Sequence, residues 1–265
     1  MTSREPVFSL RGVTKRYGAV AALRGVDLDV GKGDVLAICG DNGAGKSTLI
    51  KIMSGAEEPS SGTLALSGRP VRFRSPHDAL TQGVATIYQD LALAPRLSIV
   101  ANVFMGAELT RPVGLPFIQI LDKPKMAREA RTYLGRLSIE IDDMNRPVER
   151  LSGGQRQAVA ISRALRWNAD LIIMDEPTAA LGVKETSQVL DLVHHLKAQG
   201  HTIVLVSHNM RDVVEVANRV AILKSGSKIA DRPIGGLGAD DLGHMIMAGA
   251  AEASWPAALG GPIRD

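Results

Sequence analysis

A glycine-rich turn between an apolar strand and a helix restricts the fold of this chain more than any other feature. The turn, GDNGAGKS, occupies residues 40–47. It follows the continuous apolar run DVLAICG and precedes KSTLIKIMSG, which predicts a helix ending at Gly55. Glycines allow a backbone to wrap closely around an anion, and a helix directs its positive N-terminus at the same point. The segment therefore predicts a phosphate-binding loop within an α/β fold.

Two further apolar runs predict strands of a parallel sheet that is covered on both faces. LIIMDEP ends on Asp175 and Glu176, HTIVLVSH ends on His208, and the apolar spacing of residues 184–199 between them predicts a helix. Open α/β sheets bind ligands at the carboxyl ends of their strands. We therefore expect the two acids and the histidine to lie beside the phosphate loop.

The rest of the chain departs from this core pattern. Alternating residues in VFSLRGVTKRYG and LRGVDLDV predict half-buried antiparallel strands. Residues 91–168 are mostly helical in pattern, and RVAILKSGSKIA predicts a hairpin that turns near Gly226. A short helix is expected around DDLGHMIMAG, followed by a disordered tail over residues 249–265. The antiparallel start and the helical middle would be subdomains attached to the sheet.

Composition and charge narrow the class of protein. The net charge of +3 comes from dispersed arginines and not from a basic tract, which favours a solvated surface over nucleic-acid binding. The single cysteine, Cys39, lies in an apolar run and predicts core packing in a cytosolic protein. No signal peptide is recognisable, and no apolar run approaches the ~20 residues of a membrane span. A membrane role would have to come through a partner.

The residue types at these strand ends suit phosphate chemistry. Lys46 would reach the β- and γ-phosphates, Ser47 would offer its hydroxyl to Mg²⁺, and Thr48 would add an α-phosphate contact. Asp175 would hold Mg²⁺, and Glu176 is placed to orient a water towards the γ-phosphate. The other histidines are interpreted as polar surface residues. Further along the chain, LSGGQRQ precedes an apolar-faced segment, but S-x-x-Q there is by itself only a capping box.

The motifs GDNGAGKST, YQD, LSGGQRQ, LIIMDEP and VSH, in this order and spacing, resemble the nucleotide-binding subunit of an ATP-binding cassette (ABC) transporter. The resemblance covers roughly residues 7–248. It implies an ABC ATPase domain over residues 1–248, with an α/β P-loop NTPase core, a mostly parallel sheet, an N-terminal antiparallel β subdomain and a helical subdomain at about 91–168. ATP and Mg²⁺ would be its cofactors.

The resemblance also implies roles for individual residues. Glu176 would be the catalytic base and His208 the switch histidine, while Gln89 would touch Mg²⁺ and the attacking water. Lys46 would stabilise the transition state, and the metal would be held by Ser47, Gln89 and Asp175. ATP would be bound by Tyr17, stacked on adenine, by Gly40, Asp41, Asn42, Gly43, Ala44, Gly45, Lys46, Ser47 and Thr48, and by Ser152, Gly153, Gly154 and Gln155 of a second subunit.

The subfamily follows from longer stretches. GDNGAGKSTLIKIMSG, PHDALTQGVATIYQD and EPTAALGVKET most resemble ATPases of ribose-type monosaccharide importers, and the single cassette suggests a homodimer like the shorter, fructose-type members. The resemblance implies a separate membrane permease, indirectly a periplasmic sugar-binding protein, no nucleic acid, and a place on the cytoplasmic face of the bacterial inner membrane. Gly182 stands where the wider family usually carries an aspartate that helps couple the subunits, and we interpret it as a subfamily trait.

Three other interpretations stay open at this point. The chain could be an ABC-type ATPase of nucleic-acid repair or translation, although such proteins usually show long coiled coils, zinc fingers or two cassettes. It could be a regulatory subunit that binds ATP without hydrolysis, against which Lys46, Asp175, Glu176 and His208 argue. It could also drive import of a small solute other than a sugar.

Overall fold

The computed structural model describes residues 6–113 and 119–248. Its strands are β1 Pro6–Tyr17, β2 Val20–Gly31, β3 Val35–Cys39, β4 Ser61–Leu66, β5 Arg69–Val71, β6 Val84–Ile87, β7 Thr110–Pro112, β8 Gln119–Leu121, β9 Leu171–Asp175, β10 Thr202–Val206, β11 Arg219–Lys224 and β12 Ser227–Pro233. Its helices are α1 Lys46–Met53, α2 Pro76–Thr81, α3 Ile99–Phe104, α4 Lys123–Arg136, α5 Gly153–Arg166, α6 Val183–Ala198, α7 Met210–Val216 and α8 Ala239–Ala248. The expected tail, residues 249–265, lies outside the described residues.

A six-stranded sheet in the order β12-β11-β3-β10-β9-β6 forms the centre, and its strands are parallel except for β12. The apolar run of β3 is buried on both faces, because Val35, Ala37 and Cys39 join one apolar cluster while Leu36 and Ile38 join the other. Burial also raises the pKa of the Cys39 thiol to about 12, so the thiol stays protonated. The predictions of a doubly covered parallel sheet and of a packing cysteine are confirmed.

A four-stranded antiparallel sheet in the order β2-β1-β4-β5 covers one side of this centre. Its buried residues Phe8 and Leu10 pack in one cluster with Leu49 and Met53 of α1. The predicted antiparallel start and the hairpin of β11 and β12 are confirmed. Helix α2 was not predicted, although Ser75 caps it by accepting a hydrogen bond from the Asp78 N–H at 3.2 Å.

The described part of residues 91–168 contains three α-helices, α3, α4 and α5, together with irregular segments and a short hairpin. Helix α4 forms within KPKMAREARTYLGRLSI, and α3, α4 and α5 pack on one another. The exposed hairpin of β7 and β8 was missed because its three-residue strands are too short to show an alternating pattern. Within the two described ranges, no helix has the length and apolar character needed to cross a membrane.

The central sheet brings three loops to one edge. Val206 of β10 pairs with Asp175 of β9 on one side and with Ile38 of β3 on the other. Because these strands are parallel, the residues that follow each of them emerge together. We call the loops after β3, β9 and β10 the strand-end loops; they carry the phosphate loop, Glu176 and His208.

Candidate nucleotide-binding site

The glycines of the phosphate loop are required by the packing of the chain itself. Gly40 and Gly45 have φ angles of 150° and 105°. A Cβ on Gly40 would lie 2.2 Å from the carbonyl oxygen of Leu223, and one on Gly45 would lie 2.8 Å from that of Ala22. Gly43, with a φ of 80°, faces open space. The loop therefore turns tightly against β2 and β11 and leaves its middle free to meet a ligand.

Lys46 holds a buried positive charge beneath this loop. It is the first residue of α1, is 8% exposed, and its Nζ donates hydrogen bonds to the carbonyl oxygens of Gly40 at 2.6 Å and Asp41 at 3.0 Å. An ammonium group has three N–H donors, so one remains for an anion. The geometry suits a lysine that meets phosphate oxygens at the start of a helix.

Asp175 lies half-buried at the end of β9. Burial, followed by repulsion from Glu176, raises the pKa of its carboxyl group, and the charge of Lys46 partly opposes this. A carboxylate whose charged form is disfavoured in this way is suited to a cation. An open cavity of about 650 Å³ is lined by Tyr88, Gln89, Asp90, Ala92 and Asp175. The structure thus brings Gln89 and Asp175 to one cavity.

Glu176 and His208 meet across the strand-end loops. His208 Nδ1 donates a hydrogen bond to Glu176 Oε2, since a carboxylate can only accept. Glu176 adopts a left-handed backbone with a φ of 51°, and its N–H donates to the carbonyl oxygen of Val206 at 2.9 Å. A non-glycine residue in that conformation costs on the order of 1–2 kcal/mol. The surrounding loops hold Glu176 at this angle against the strain.

A buried aspartate that the sequence did not single out ties two of these loops together. Asp212 is 6% exposed, and its carboxylate accepts hydrogen bonds from the Thr178 hydroxyl at 2.7 Å and the Asn209 amide at 2.9 Å. Thr178 follows Glu176, and Asn209 follows His208. Asp212 therefore fixes the spacing of the loops that carry Glu176 and His208. In the sequence, only Asn209, a residue type that commonly caps helices, indicated that α7 begins here and brings Asp212 close to the loop.

Tyr17 stands at the end of β1 with 44% of its surface exposed. Its hydroxyl donates a hydrogen bond to Glu57 Oε2, and the Lys15 ammonium lies 5.3 Å from its ring centre. Glu57 also pairs with Lys15 at 3.2 Å and with Lys51 at 3.3 Å, and the tyrosine hydrogen bond is the main reason that the pKa of Glu57 is lowered. Sequence reasoning missed Glu57, because it comes 40 residues after Tyr17.

Residues 152–155, which we call the signature turn, begin α5 and form the predicted capping box. Ser152 Oγ accepts from the Gln155 N–H at 3.2 Å, and Gln155 Oε1 accepts from the Ser152 N–H at 3.1 Å. Among the hydrogen bonds of the described residues, none joins this turn to the phosphate loop. The structure therefore assembles Lys46, Asp175, Glu176 and His208 along one edge and places the signature turn on a separate helix.

Comparison with known proteins adds the family. Residues 23–179 match the profile of the ABC transporter family. The chain is 47% identical to the fructose import ATP-binding protein FrcA of Rhizobium meliloti, over 86% of this chain and 88% of that protein. It is 48% identical to the xylose/arabinose import ATP-binding protein XylG of Sulfolobus acidocaldarius, over 84% of this chain and 86% of that protein. A ribose import ATP-binding protein of Rubrobacter xylanophilus is 40% identical, but the chain spans 49% of its length.

Solved structures that superpose on this chain are also ATP-binding cassettes. The ATP-binding cassette of an ABC transporter in its ADP conformation superposes with a TM-score of 0.74 at 25% identity, covering 91% of this chain and 95% of that one. A dimeric post-hydrolysis state of another cassette, bound to ADP and phosphate, has a TM-score of 0.70 at 26% identity, covering 87% of this chain and all of that one. The fold of this chain thus recurs in ATP-binding cassettes that were solved in an ADP conformation or with ADP and phosphate bound.

Proposed function

Because the chain belongs to the ABC transporter family, we propose that it is the ATP-hydrolysing subunit of an importer that takes up a monosaccharide through a separate membrane permease. The observation that carries the hydrolytic part is the meeting of Lys46, Asp175, Glu176 and His208 beside the phosphate loop. The sugar is supported by the fructose, xylose/arabinose and ribose import proteins that the chain resembles.

In this proposal the nucleotide lies across the phosphate loop. The backbone N–H groups of residues 40–48, the third N–H of Lys46 and the hydroxyls of Ser47 and Thr48 bind the phosphates. The half-exposed ring of Tyr17 stacks on the adenine, held in orientation by Glu57. The middle of the loop, around Gly43, is the open part of the backbone and is the part that meets the phosphates.

A divalent cation fits the residues beside this loop. The pKa of the Asp175 carboxyl group is raised, and a bound cation would lower it by stabilising the charged form. Gln89 lines the same cavity. Mg²⁺ prefers few protein ligands with phosphate and water oxygens completing its shell, which fits one carboxylate, one amide and the Ser47 hydroxyl. When bound, Mg²⁺ would neutralise charge on the phosphates. Asp175, Ser47 and Gln89 are the residues that would hold it.

Hydrolysis is assigned to the pair on the strand-end loops. Glu176 Oε2 accepts from His208, which leaves Oε1 to accept a proton from the attacking water. His208 fixes the direction of that carboxylate, and its exposed ring extends towards the nucleotide. Lys46 stabilises the charge that develops on the γ-phosphate. The left-handed backbone of Glu176 aims its side chain at this point and not along the strand.

The test of this assignment is Glu176→Gln, with Glu215→Gln, a carboxylate on α7, as the matched control. Glu176→Gln should keep ATP binding and lower the turnover number by about 10²–10⁴-fold, because general base catalysis is removed. Phosphate release and binding of a fluorescent ATP analogue measure the two properties separately. Near-normal hydrolysis in Glu176→Gln, or an equal loss in the control, would contradict the assignment.

We also propose that two copies of the chain sandwich two ATP molecules, with Ser152, Gly153, Gly154 and Gln155 of each facing the nucleotide of the other. The separation of the signature turn from the phosphate loop within one chain supports this, as does the solved dimeric cassette. ATP-dependent dimerisation of the Glu176→Gln variant, followed by analytical ultracentrifugation, tests it. A variant that binds ATP and stays monomeric at high concentration would overturn the dimer.

The permease is proposed to bind a groove between the sheet and the helical region, at residues about 91–168. A cavity of about 300 Å³ there is lined by His77, Tyr88, Met105, Arg163 and Trp167, among others. Tyr88 precedes Gln89, which is proposed to hold Mg²⁺, and Met105 follows α3. A permease helix that binds here would therefore be displaced when the active site moves. Because Cys39 is buried, Met105→Cys would supply a reactive surface thiol. A bifunctional reagent with a maleimide that alkylates this thiol and an activated ester that acylates a permease amine should link the subunit to the co-expressed permease. A subunit that stays unlinked in intact membranes would contradict this.

These partners would hold the subunit at the cytoplasmic face of the bacterial inner membrane, with a periplasmic sugar-binding protein on the other side. Purification of the assembled complex, with the binding protein's bound sugar identified by mass spectrometry, would test the substrate class. A sugar supports the proposal, and a different small solute would replace it with the broader importer. Salt-sensitive binding of DNA or RNA by the purified subunit would instead favour the nucleic-acid class.

A further inference from the structure

One carboxylate joins the first turn of α5 to the first turn of α6. Glu185 Oε1 accepts a hydrogen bond from the Gly153 N–H at 2.7 Å, and Glu185 Oε2 accepts a longer one from the Gly182 N–H at 3.4 Å. Gly153 belongs to the signature turn, while Gly182 precedes α6. These two segments are 29 residues apart in sequence, so the contact belongs to the tertiary structure and not to either helix alone.

The two glycines of the signature turn allow this contact. A Cβ on Gly153 would lie 2.7 Å from Leu181 Cδ2 and 2.8 Å from Glu185 Oε1. A Cβ on Gly154 would lie 2.7 Å from Gln188 Oε1. Neither glycine has a left-handed backbone. A side chain at either position would have to displace these side-chain ends, so the signature turn packs closely against the first turns of α6 and the residue before Gly182.

Electrostatics favour the same arrangement. The N–H groups of a helix's first turn lack partners within the helix, and a negative charge there is stabilising. Glu185 supplies that charge to α5 and lies in the first turn of its own helix. A hydrogen bond to a charged acceptor is stronger than a neutral one. Glu185 thus holds one N–H group of the signature turn against the start of α6.

The loop that enters α6 begins at the catalytic acids. Asp175 ends β9, Glu176 follows it, and residues 177–182 lead directly to α6. We infer that Glu185 is a positioning residue that couples the signature turn to this loop, so that movement at Glu176 in one ATP site reaches the turn that serves the other site. The inference rests on the proposed function, in which each copy presents its signature turn to the nucleotide of its partner.

The experiment uses the full-length chain carrying Glu176→Gln, which dimerises with ATP under the proposed function. Glu185→Ala and Glu185→Gln are added singly, with Lys184→Ala, the exposed neighbour on the same helix, as control. Analytical ultracentrifugation with ATP gives the dimer dissociation constant, and a fluorescent ATP analogue gives the affinity of the monomer. Thermal unfolding of each variant is followed in parallel.

Glu185→Ala should raise the dimer dissociation constant about ten-fold, the effect of one charge-assisted hydrogen bond. Glu185→Gln keeps an acceptor oxygen and should stay within about three-fold of the parent. Lys184→Ala should match the parent, and monomer affinity for the analogue should be the same in all variants. A role in folding alone would lower the melting temperature without this selective loss of dimer.

Three results would overturn the inference. Glu185→Ala could dimerise as tightly as the parent, which would remove the coupling. Glu185→Ala and Glu185→Gln could both dimerise more tightly, which would show that the carboxylate acts only by repelling phosphate. Lys184→Ala could lose dimer equally, which would make the effect non-specific. If the parent itself fails to dimerise with ATP, the proposed function fails instead, and the two failures are distinguishable.

Discussion

The strand-end loops and the signature turn, which are proposed to bind the same kind of nucleotide, are built in opposite ways. The strand-end loops are joined by side-chain hydrogen bonds to acidic residues: Glu176 accepts one from His208, and Asp212 of α7 accepts one from Thr178. The signature turn contains no charged residue, and the charge next to it comes from Glu185. Ser152 and Gln155 form hydrogen bonds with each other. The first region holds Glu176 in a left-handed backbone and raises the pKa of the Asp175 carboxyl group through burial, while the second is an ordinary helix start. The proposed function gives the chemistry to the first region and recognition of the partner's nucleotide to the second, and variants should separate the two roles.

The largest effect is expected at Lys46 in the strand-end loops. Lys46→Ala removes the charge beneath the phosphates, and ATPase activity should fall by about 10²–10³-fold. Binding of the fluorescent ATP analogue should weaken in the isolated chain, while the signature turn stays folded by amide hydrogen exchange. Lys51→Ala, an exposed lysine later on α1, serves as the control. Retained ATPase activity in Lys46→Ala would break the comparison.

Asp212 tests whether the strand-end loops depend on their cross-links. Asp212→Ala leaves the Thr178 hydroxyl and the Asn209 amide without their acceptor, and it should lower the free energy of unfolding by about 1–3 kcal/mol. Urea unfolding measures this, and the turnover number should fall more than ATP affinity because Glu176 and His208 lose their spacing. Asp231→Ala removes an aspartate of the β11–β12 hairpin and serves as the control. An equal loss of turnover number in Asp231→Ala would show a general folding effect.

Ser152 sharpens the contrast from the other side. Ser152→Ala removes the cap of α5 and should cost ~1 kcal/mol of unfolding free energy. ATP binding by the monomer should be unchanged, while ATP-driven dimerisation in the Glu176→Gln background should weaken. Ser152→Thr keeps a hydroxyl cap and should retain most of the unfolding free energy and most of the ATP-driven dimerisation. Weakened nucleotide binding by monomeric Ser152→Ala would show that the two regions are not separable within one chain.

The smallest effect is expected at Gly182, between the two regions. Its backbone, with φ −72° and ψ 166°, is ordinary for a helix N-cap, and a Cβ there would meet open space. Gly182→Asp should therefore raise the free energy of unfolding by a few tenths of a kcal/mol, because aspartate caps a helix slightly better than glycine. Thermal unfolding with Gly182→Ala as control would detect it. A drop in stability would mean that the loop tolerates only glycine.

The sequence was most informative where function lies within contiguous segments. Asp175, Glu176 and His208 lie at the carboxyl ends of β9 and β10, and Lys46 lies in the loop and helix that follow β3, so the strand pattern alone predicted that they lie along one edge. The contacts that orient them come from distant segments: Glu57 for Tyr17, Glu185 for Gly153, and Asp212 for Thr178. No local pattern encodes such pairs, because they arise only when helices and loops pack. The hairpin of β7 and β8 was missed for a different reason, because its strands have only three residues each.

A Cβ on Gly40 would lie 2.2 Å from the carbonyl oxygen of Leu223. This close approach limits what a glycine-rich loop indicates about the activity of the protein that contains it. Gly40 and Gly45 are fixed by neighbouring backbone, whether or not a nucleotide is ever bound. A descendant of this chain that lost Glu176 or His208 would still need both glycines to fold. Such a chain would keep the outline of the loop as an inherited scaffold. Genes for inactive copies would therefore be recognised by their acids and their histidine, and not by their glycines.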